Sequence, residues 1–432
     1  MAKFLSTRGK NVAATDIDAS RANIAGELNR LGIKTDIGFH DQETFNRAKL
    51  MVPSPGIPRA NKFIRTALSH GVGITCELDI FARYNDLPLI AITGTNGKTT
   101  TTTLIGEMLK ACGMNPFVGG NIGTPLVEHL MNKGKTNVIV AEISSFQLDI
   151  SKRLRPDVGV LLNISRDHLD RYENYKAYEK SKWSIFKNQG PSDKAVINQS
   201  IKGFEKALKK LNSRVFSFSS NMDTLIECEA KVTSKKIEIK TGNLNHRIET
   251  TRFSELKGSH NHENIAAAVL SCLALGADIN GILKGLETFK NLPHRMEFIK
   301  TIKRVSFYDD SKATNTDAVV RALKCFKKNI ILILGGREKS TDFSLLANNV
   351  KKSVKAIIAI GEAKKHIKQT FEKTLRVLEA QTMKEAVQKA FATAAKDDIV
   401  LLSPACASFD MYDSYAQRGN DFATHVNALE KK

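Results

Sequence analysis

A multi-domain α/β fold is predicted by three observations. Short apolar runs alternate with segments of helical spacing along most of the chain, the pattern of parallel sheets crossed by helices. One junction, 88–112 (PLIAITGTNGKTTTTTLIGEMLKAC), places a glycine-rich turn between a strand and a helix. The length, 432 residues, suits about three domains, each large enough for its own core. The expected units are 1–86, 87–291 and 292–432.

Composition narrows the function classes. Hydrophobic content of 42% with 25% charged residues describes an ordinary globular chain. The six cysteines form no CxxC pair, which argues against a zinc site or disulfide framework and for a reducing compartment. No basic-then-apolar leader opens the chain and no apolar run reaches membrane-spanning length, so a cytoplasmic protein without membrane insertion is expected. The net charge of +20 invites a nucleic-acid reading. Lys and Arg are spread along the whole chain, however, and aromatics are only 7%. No nucleic-acid partner is expected, and diffuse basicity suits anionic substrates.

The first unit reads as a strand at 11–16 (NVAATD), a helix at 22–31, a strand at 48–52, a turn at 53–58 (PSPGIP) and a helix at 62–69. A nucleotide-binding α/β unit ordinarily opens with a strand and a glycine-rich turn. Here Met1 enters in what reads as the end of the first helix (AKFLSTRGK), so that unit is expected to lack both.

The second unit begins with the buried strand 89–92. The turn Gly94-Thr95-Asn96-Gly97-Lys98-Thr99 follows, then apolar residues at 104, 105, 108, 109 and 112. Glycines let backbone approach an anion, the helix's first N–H groups point at it, and the Lys98 ammonium neutralises it. The Thr99 hydroxyl is placed to ligate Mg²⁺ beside the phosphates. The common phosphate loop has four residues between its first glycine and the GK pair, and here that earlier position is Ile92. The plain alternative is a glycine turn capping a core helix. Further strands are expected at 137–143, 158–163 and 194–198, antiparallel strands within 214–250, and an apolar helix at 264–275. In the third unit strands are expected at 305–308, 329–334, 356–360 and 398–402.

Polar residues gather where these strands end, which is where open α/β sheets hold ligands. Glu142 closes NVIVAE, His168 follows VGVLLNISRD, and Asp309 and Asp310 follow VSFY. GGREK (335–339) follows NIILIL, and SPACAS (403–408) follows DIVLL. Glu142 and His168 are candidate Mg²⁺ ligands beside Thr99. Imidazole is unusual on magnesium, and a hydrogen-bonded strand-end histidine is the alternative.

Lys182 stands out within the helix expected at 173–187. Tyr175, Tyr178, Lys182 and Ile185 share one face at i, i+3, i+7 and i+10. A lysine in an apolar stripe either snorkels outward or keeps a desolvated amine of lowered pKa. Periodicity favours the outward course, whereas a neutral amine can add CO₂ and become an anionic carbamate.

The motifs SPGIP (54–58), GTNGKTTT (94–101), GGNIG (119–123), AEISSFQL (141–148), NISRDHLDRY (163–172), GSHNHEN (258–264), LPHRMEF (292–298), DDSKATN (309–315), LGGREKSTDF (334–343) and SPACASFD (403–410) resemble those of the Mur ligase family. The resemblance runs from about residue 9 to the C-terminus, and DDSKATN with SPACASFD resembles the branch that adds D-glutamate.

It implies a truncated Rossmann-like N-terminal domain, a central phosphate-loop parallel sheet and a Rossmann-like C-terminal domain. The activity implied is ATP-dependent amide formation between UDP-N-acetylmuramoyl-L-alanine and D-glutamate, by a monomer. Gly94, Thr95, Asn96, Gly97, Lys98, Thr99 and Thr100, with Asn261, Asn264, His294, Arg295 and Asp310, are implied to hold ATP. Thr99 and Glu142 would hold one Mg²⁺, His168 and carbamylated Lys182 a second, these with Lys98 carrying the catalysis. Asn121, Ser144 and His168 would face the muramoyl-alanine part, and Asp16, Ser54 and Gly56 the UDP group. Lys312, Thr314, Lys339, Ser408, Phe409 and Tyr415 would shape the D-glutamate pocket, Tyr415 standing where the family often has Phe. A sister ligase such as folylpolyglutamate synthase, or an idle nucleotide-binding protein, is the alternative.

Overall fold

The computed structural model describes residues 1–431 except 58–59, 168–170, 222–226, 254–255, 257, 327–328 and 339–340. Its largest sheet runs, edge to edge, through strands Leu244–Glu249, Lys236–Thr241, Ala230–Val232, Arg214–Ser219, Lys194–Asn198, Val158–Leu161, Leu89–Thr93, Val138–Glu142 and Pro116–Gly120. Leu89–Thr93 pairs in parallel with a strand on each side. Its five residues are all buried. Ile90 and Ile92 face one core with the helix Lys98–Ala111, and Leu89 and Ala91 face another that includes Phe4, Leu126 and Ile139. Full burial of one such Leu or Ile side chain stabilises by about 1.5–3 kcal/mol. The loop after Thr93 therefore hangs from a fully buried strand paired on both sides.

The second large sheet has the order Glu297–Ile302, Val305–Asp309, Ile399–Leu402, Ile330–Gly335, Val354–Ile360 and Arg376–Ala380. Only its first pair is antiparallel. Alternation along Ile330–Gly335 buries Ile330, Leu332 and Leu334 on one face, and Ile331 and Ile333 on the other. Residues near the N-terminus form two separate parallel pairs, Ala13–Asp16 with Lys34–Ile37, and Leu50–Met51 with Gly73–Ile74. The core beside the second pair is small: Met51, Ile64, Ala67 and Val72. Among the described residues, no helix is long and apolar enough to cross a membrane.

Several sequence expectations change. Arg214–Ser219 is parallel to both neighbours, and only the last three strands of the 214–250 region run antiparallel. Period-2 alternation carries no direction, and the crossover through the helix Phe204–Leu208 is long enough to return the chain in parallel. The helix expected from 264 begins at Ser259. Its first turn is polar yet buried (Asn261, His262, Asn264), so the apolar pattern starts late. Pro116–Gly120 (PFVGG) was not expected as a strand because of its Pro and two Gly. It lies at a sheet edge, where Pro is tolerated.

Candidate active site

Gly97 caps the helix Lys98–Ala111 with φ of +87°, and a Cβ there would collide with Asn264 Oδ1. Glycine is needed on both counts, backbone and space. The turn is also pinned from the side. Asn96 N donates to Asn163 Oδ1 (2.9 Å), Asn163 Nδ2 donates back to Asn96 O (2.9 Å), and Ser165 N donates to Thr95 Oγ1 (3.0 Å). Lys98 Nζ folds over the turn, donating to Gly94 O (2.8 Å) and Thr95 O (2.9 Å).

Lys182 Nζ donates to the same Gly94 carbonyl, also at 2.8 Å. The outward course expected from periodicity is overturned: Lys182 is 2% exposed, on the helix Tyr175–Trp183, with its amine 4.8 Å from the centre of the Tyr178 ring. Tyr178 is itself locked by a 3.0 Å bond to Thr95 Oγ1, so the helix and the turn hold each other. Burial, and then the neighbouring Lys98, push the Lys182 amine well below its ordinary value.

Glu142 ends Val138–Glu142 at the carboxyl edge of the sheet and is 2% exposed. Its Oε1 accepts from Asn121 Nδ2 at 2.9 Å, while its buried Oε2 has no hydrogen-bond partner among the described residues. An orphaned buried carboxylate oxygen is costly unless a cation completes it. It is a hard oxygen donor of the kind Mg²⁺ takes. His168 lies outside the described residues. Ser144 caps the helix Ser145–Ile150 in a capping box with Gln147.

The second large sheet presents the opposite wall. One cleft is lined by Asn96, Gly97, Thr100, Asn261 and Asn264 on one side and by Arg295, Asp310 and Lys312 on the other. Asn264 Nδ2 donates to Asn261 Oδ1 (3.1 Å). Asp310 accepts from Ser403 Oγ (2.9 Å) and Met296 N (3.2 Å), and burial pushes its carboxyl up to about 7. Lys312 Nζ sits 3.7 Å from the centre of the Tyr415 ring, a cation–π contact. Burial, then Arg295, pushes Lys312 down to about 8. Lys98 and Arg295 are likewise lowered, first by burial, and both feel Glu142. The Glu142 charge acts on Lys98, Lys182, Arg295 and Lys312 alike, an excess of cations suited to anions.

Ser408 is buried, Thr314 is exposed and Phe409 is 57% exposed. Asp16 ends its strand beside Arg21 (3.4 Å), and Ser54 and Gly56 are exposed, all three in the N-terminal unit. Lys339 lies outside the described residues.

Sequence reasoning missed Arg418, which is 2% exposed and donates to Ser311 Oγ (2.9 Å), Ser311 O (2.8 Å) and Cys406 O (3.1 Å). The signal was available. Arg418, Phe422 and Val426 are spaced i, i+4, i+8 on the helix Tyr415–Asn427, a charge inside an apolar stripe as at Lys182.

The histidines set a pH dependence. Burial lowers His129, which packs on Phe117 with both ring nitrogens unpartnered, and also His262 and His260, the last to about 3. The unfolded chain binds protons that these folded sites refuse, so their contribution to stability is whole above the ordinary 6.5 and shrinks as pH falls below it. His294 opposes them: its 2.7 Å bond to Asp309 raises its value, a contribution present below 6.5 and lost as pH rises through the raised value. Asp310, pushed up to about 7, also opposes them in this window, so the imidazole share is read by difference: His129→Phe is expected to raise the urea midpoint at pH 5.5 more than at pH 7.5, by an amount worth about 1 kcal/mol. An equal change at both pH values would count against neutral burial of this ring.

Comparison with known proteins agrees with this geometry. A family model described as the Mur ligase middle domain matches residues 92–272, and one described as Mur ligase, glutamate ligase domain matches residues 294–406. The chain is 42% identical over 434 residues to the UDP-N-acetylmuramoylalanine–D-glutamate ligase of Desulfosudis oleivorans, covering 100% of this chain and 94% of that protein. It is 42% identical over 432 residues to the protein of the same name from Geotalea daltonii, covering 99% and 94%. Among solved structures, a pseudomurein peptide ligase type C from Methanothermus fervidus superposes with a TM-score of 0.64 at 22% identity, covering 100% of this chain and 97% of that one. UDP-N-acetylmuramate-alanine ligase from Thermotoga maritima gives 0.61 at 18% identity, covering 99% and 96%, a likeness of fold.

Proposed function

The chain belongs to the Mur ligase family, and from that premise we propose that it adds D-glutamate to UDP-N-acetylmuramoyl-L-alanine at the expense of ATP, a step of peptidoglycan synthesis. The observation that carries this reading is the cleft between the glycine turn, where Lys98 and Lys182 share the Gly94 carbonyl, and the facing wall of Arg295, Asp310 and Lys312. Every reactant of such a ligase is an anion. The relatives named for this reaction support the choice of amino acid.

In this reading the L-alanyl carboxylate attacks the γ-phosphorus of ATP, the bond to the β–γ bridging oxygen breaks, and ADP leaves. The D-glutamate amine then attacks the acyl phosphate carbon, and the tetrahedral adduct collapses to amide and phosphate. Lys98 exchanges the carbonyls of Gly94 and Thr95 for the phosphates, beside the first N–H groups of its helix. Asn261, Asn264, His294, Arg295 and Asp310 hold the nucleotide from both sides of the cleft. Lys312 on Tyr415, with Thr314, Lys339, Ser408 and Phe409, receives D-glutamate. Asn121, Ser144 and His168 face the muramoyl-alanine part, and Asp16, Ser54 and Gly56 the UDP group. Closure of the facing walls keeps water from the acyl phosphate.

Two Mg²⁺ ions suit the donor set, one on Thr99 and Glu142 Oε2 and one on His168 and Lys182, and when bound they neutralise the phosphates. For Lys182 to serve, its neutral amine adds CO₂: the nitrogen lone pair forms the N–C bond and one N–H proton leaves to solvent. A second ammonium on the Gly94 carbonyl beside Lys98 is unfavourable, which supports this conversion. The protein acts as a monomer in the cytoplasm.

The test is phosphate release from Mg-ATP with UDP-N-acetylmuramoyl-L-alanine, scanned over D-glutamate, L-glutamate and diamino acids. D-Glutamate alone is expected to trigger release. Release with a diamino acid instead, or none with any, would reject the assignment.

A further inference from the structure

Asp317 lies in the first turn of the helix Thr316–Leu323, whose cap, Asn315 Oδ1, accepts from Ala318 N at 2.9 Å. One of its oxygens, Oδ2, accepts from three donors: Asn96 Nδ2 (2.8 Å), Ser165 Oγ (3.1 Å) and Arg321 Nε (2.9 Å). The first two belong to the wall that carries the glycine turn, 221 and 152 residues away in sequence. Asn315 widens the contact, its Nδ2 donating to Asp167 Oδ2 (3.0 Å) and Asn96 Oδ1 (3.3 Å). Arg321 also reaches Glu263 on the helix Ser259–Ala274 at 3.8 Å. The turn holding Asn96 and the loop holding Ser165 are pinned to each other through Asn163. Arg321 is on the same helix, so this carboxylate is fully satisfied only when the two other segments, holding Asn96 and Ser165, are docked against it. The same unit carries Arg295, Asp310 and Lys312, so its docking sets how far they stand from Lys98 and Glu142.

From this we infer that Asp317 is a positioning residue: it latches the C-terminal unit onto the glycine turn and so sets where the amino-acid side of the cleft stands against that turn. The inference rests on the ligase reading above, since it assigns the latch to that reaction.

Asp317→Ala in the full chain is expected to lower kcat/KM for D-glutamate roughly tenfold or more, mainly through KM, and Ser165→Ala roughly threefold. Because both changes cut the same bond, the double variant should be no worse than Asp317→Ala alone. In solution X-ray scattering with magnesium and a non-hydrolysable ATP analogue, both single variants should show a larger radius of gyration than the parent. Multiplying kinetic effects, or equal radii for parent and variants, would overturn the latch. The scattering result stands whether or not the parent consumes D-glutamate, so a failure of the ligase reading shows up separately as no phosphate release by the parent. Ser165→Ala, a small change on a loop, keeps the test alive should Asp317→Ala fold poorly.

Discussion

Replacing Lys182 with Ala is expected to cut D-glutamate-dependent phosphate release by about a thousandfold or more, a loss of about 4 kcal/mol in transition-state stabilisation. Added formate or acetate should restore part of it. The amine is buried, shares the Gly94 carbonyl with Lys98, and among the described residues donates to no carboxylate. Retaining it as a cation is costly, whereas its carbamate would supply the oxygen donors that a metal requires. A small carboxylate diffusing into the vacated space brings the same oxygens. Undiminished activity in Lys182→Ala would refute the carbamate, and so would Lys182→Arg matching the parent, since a guanidinium cannot be converted.

The second large effect is on stability. Arg418→Met is expected to lower the unfolding free energy by about 3–5 kcal/mol, as measured by urea titration, because buried acceptors lose a charged donor. Ser311 O, Ser311 Oγ and Cys406 O all depend on this one guanidinium. Burial lowers its value to about 10, so it stays charged at neutral pH. Ser311 separates Asp310 from Lys312, so activity should decline as well. Lysine cannot reproduce the fork of donors and should recover little. An unchanged urea midpoint would show that solvent replaces these bonds at no cost.

What could be read from the residues alone follows the range of the interactions. The strand, glycine turn and helix around Lys98 are local, and they fall where spacing puts them. Lys182 and Arg418 were visible as charges in apolar stripes, but periodicity says only which face a side chain takes. Whether a partner waits there is decided by tertiary packing: for Lys182 a carbonyl 88 residues away, for Arg418 one residue 107 away. Asp317 and Ser165 carried no local signal, because their meaning lies in two units meeting. Strand direction in the 214–250 region was illegible for the same reason: alternation marks a face, whereas direction belongs to the connection.

Nine strands in one sheet leave two rims, Pro116–Gly120 at one end and Leu244–Glu249 at the other. Such rims are templates on which a neighbouring molecule can stack and precipitate. One opens with a proline and closes with two glycines; the other carries His246, Arg247 and Glu249 along a short hairpin. Both chemistries discourage a further strand from joining, by withholding a donor or by forcing charge against charge. This sheet can therefore be wide without becoming sticky.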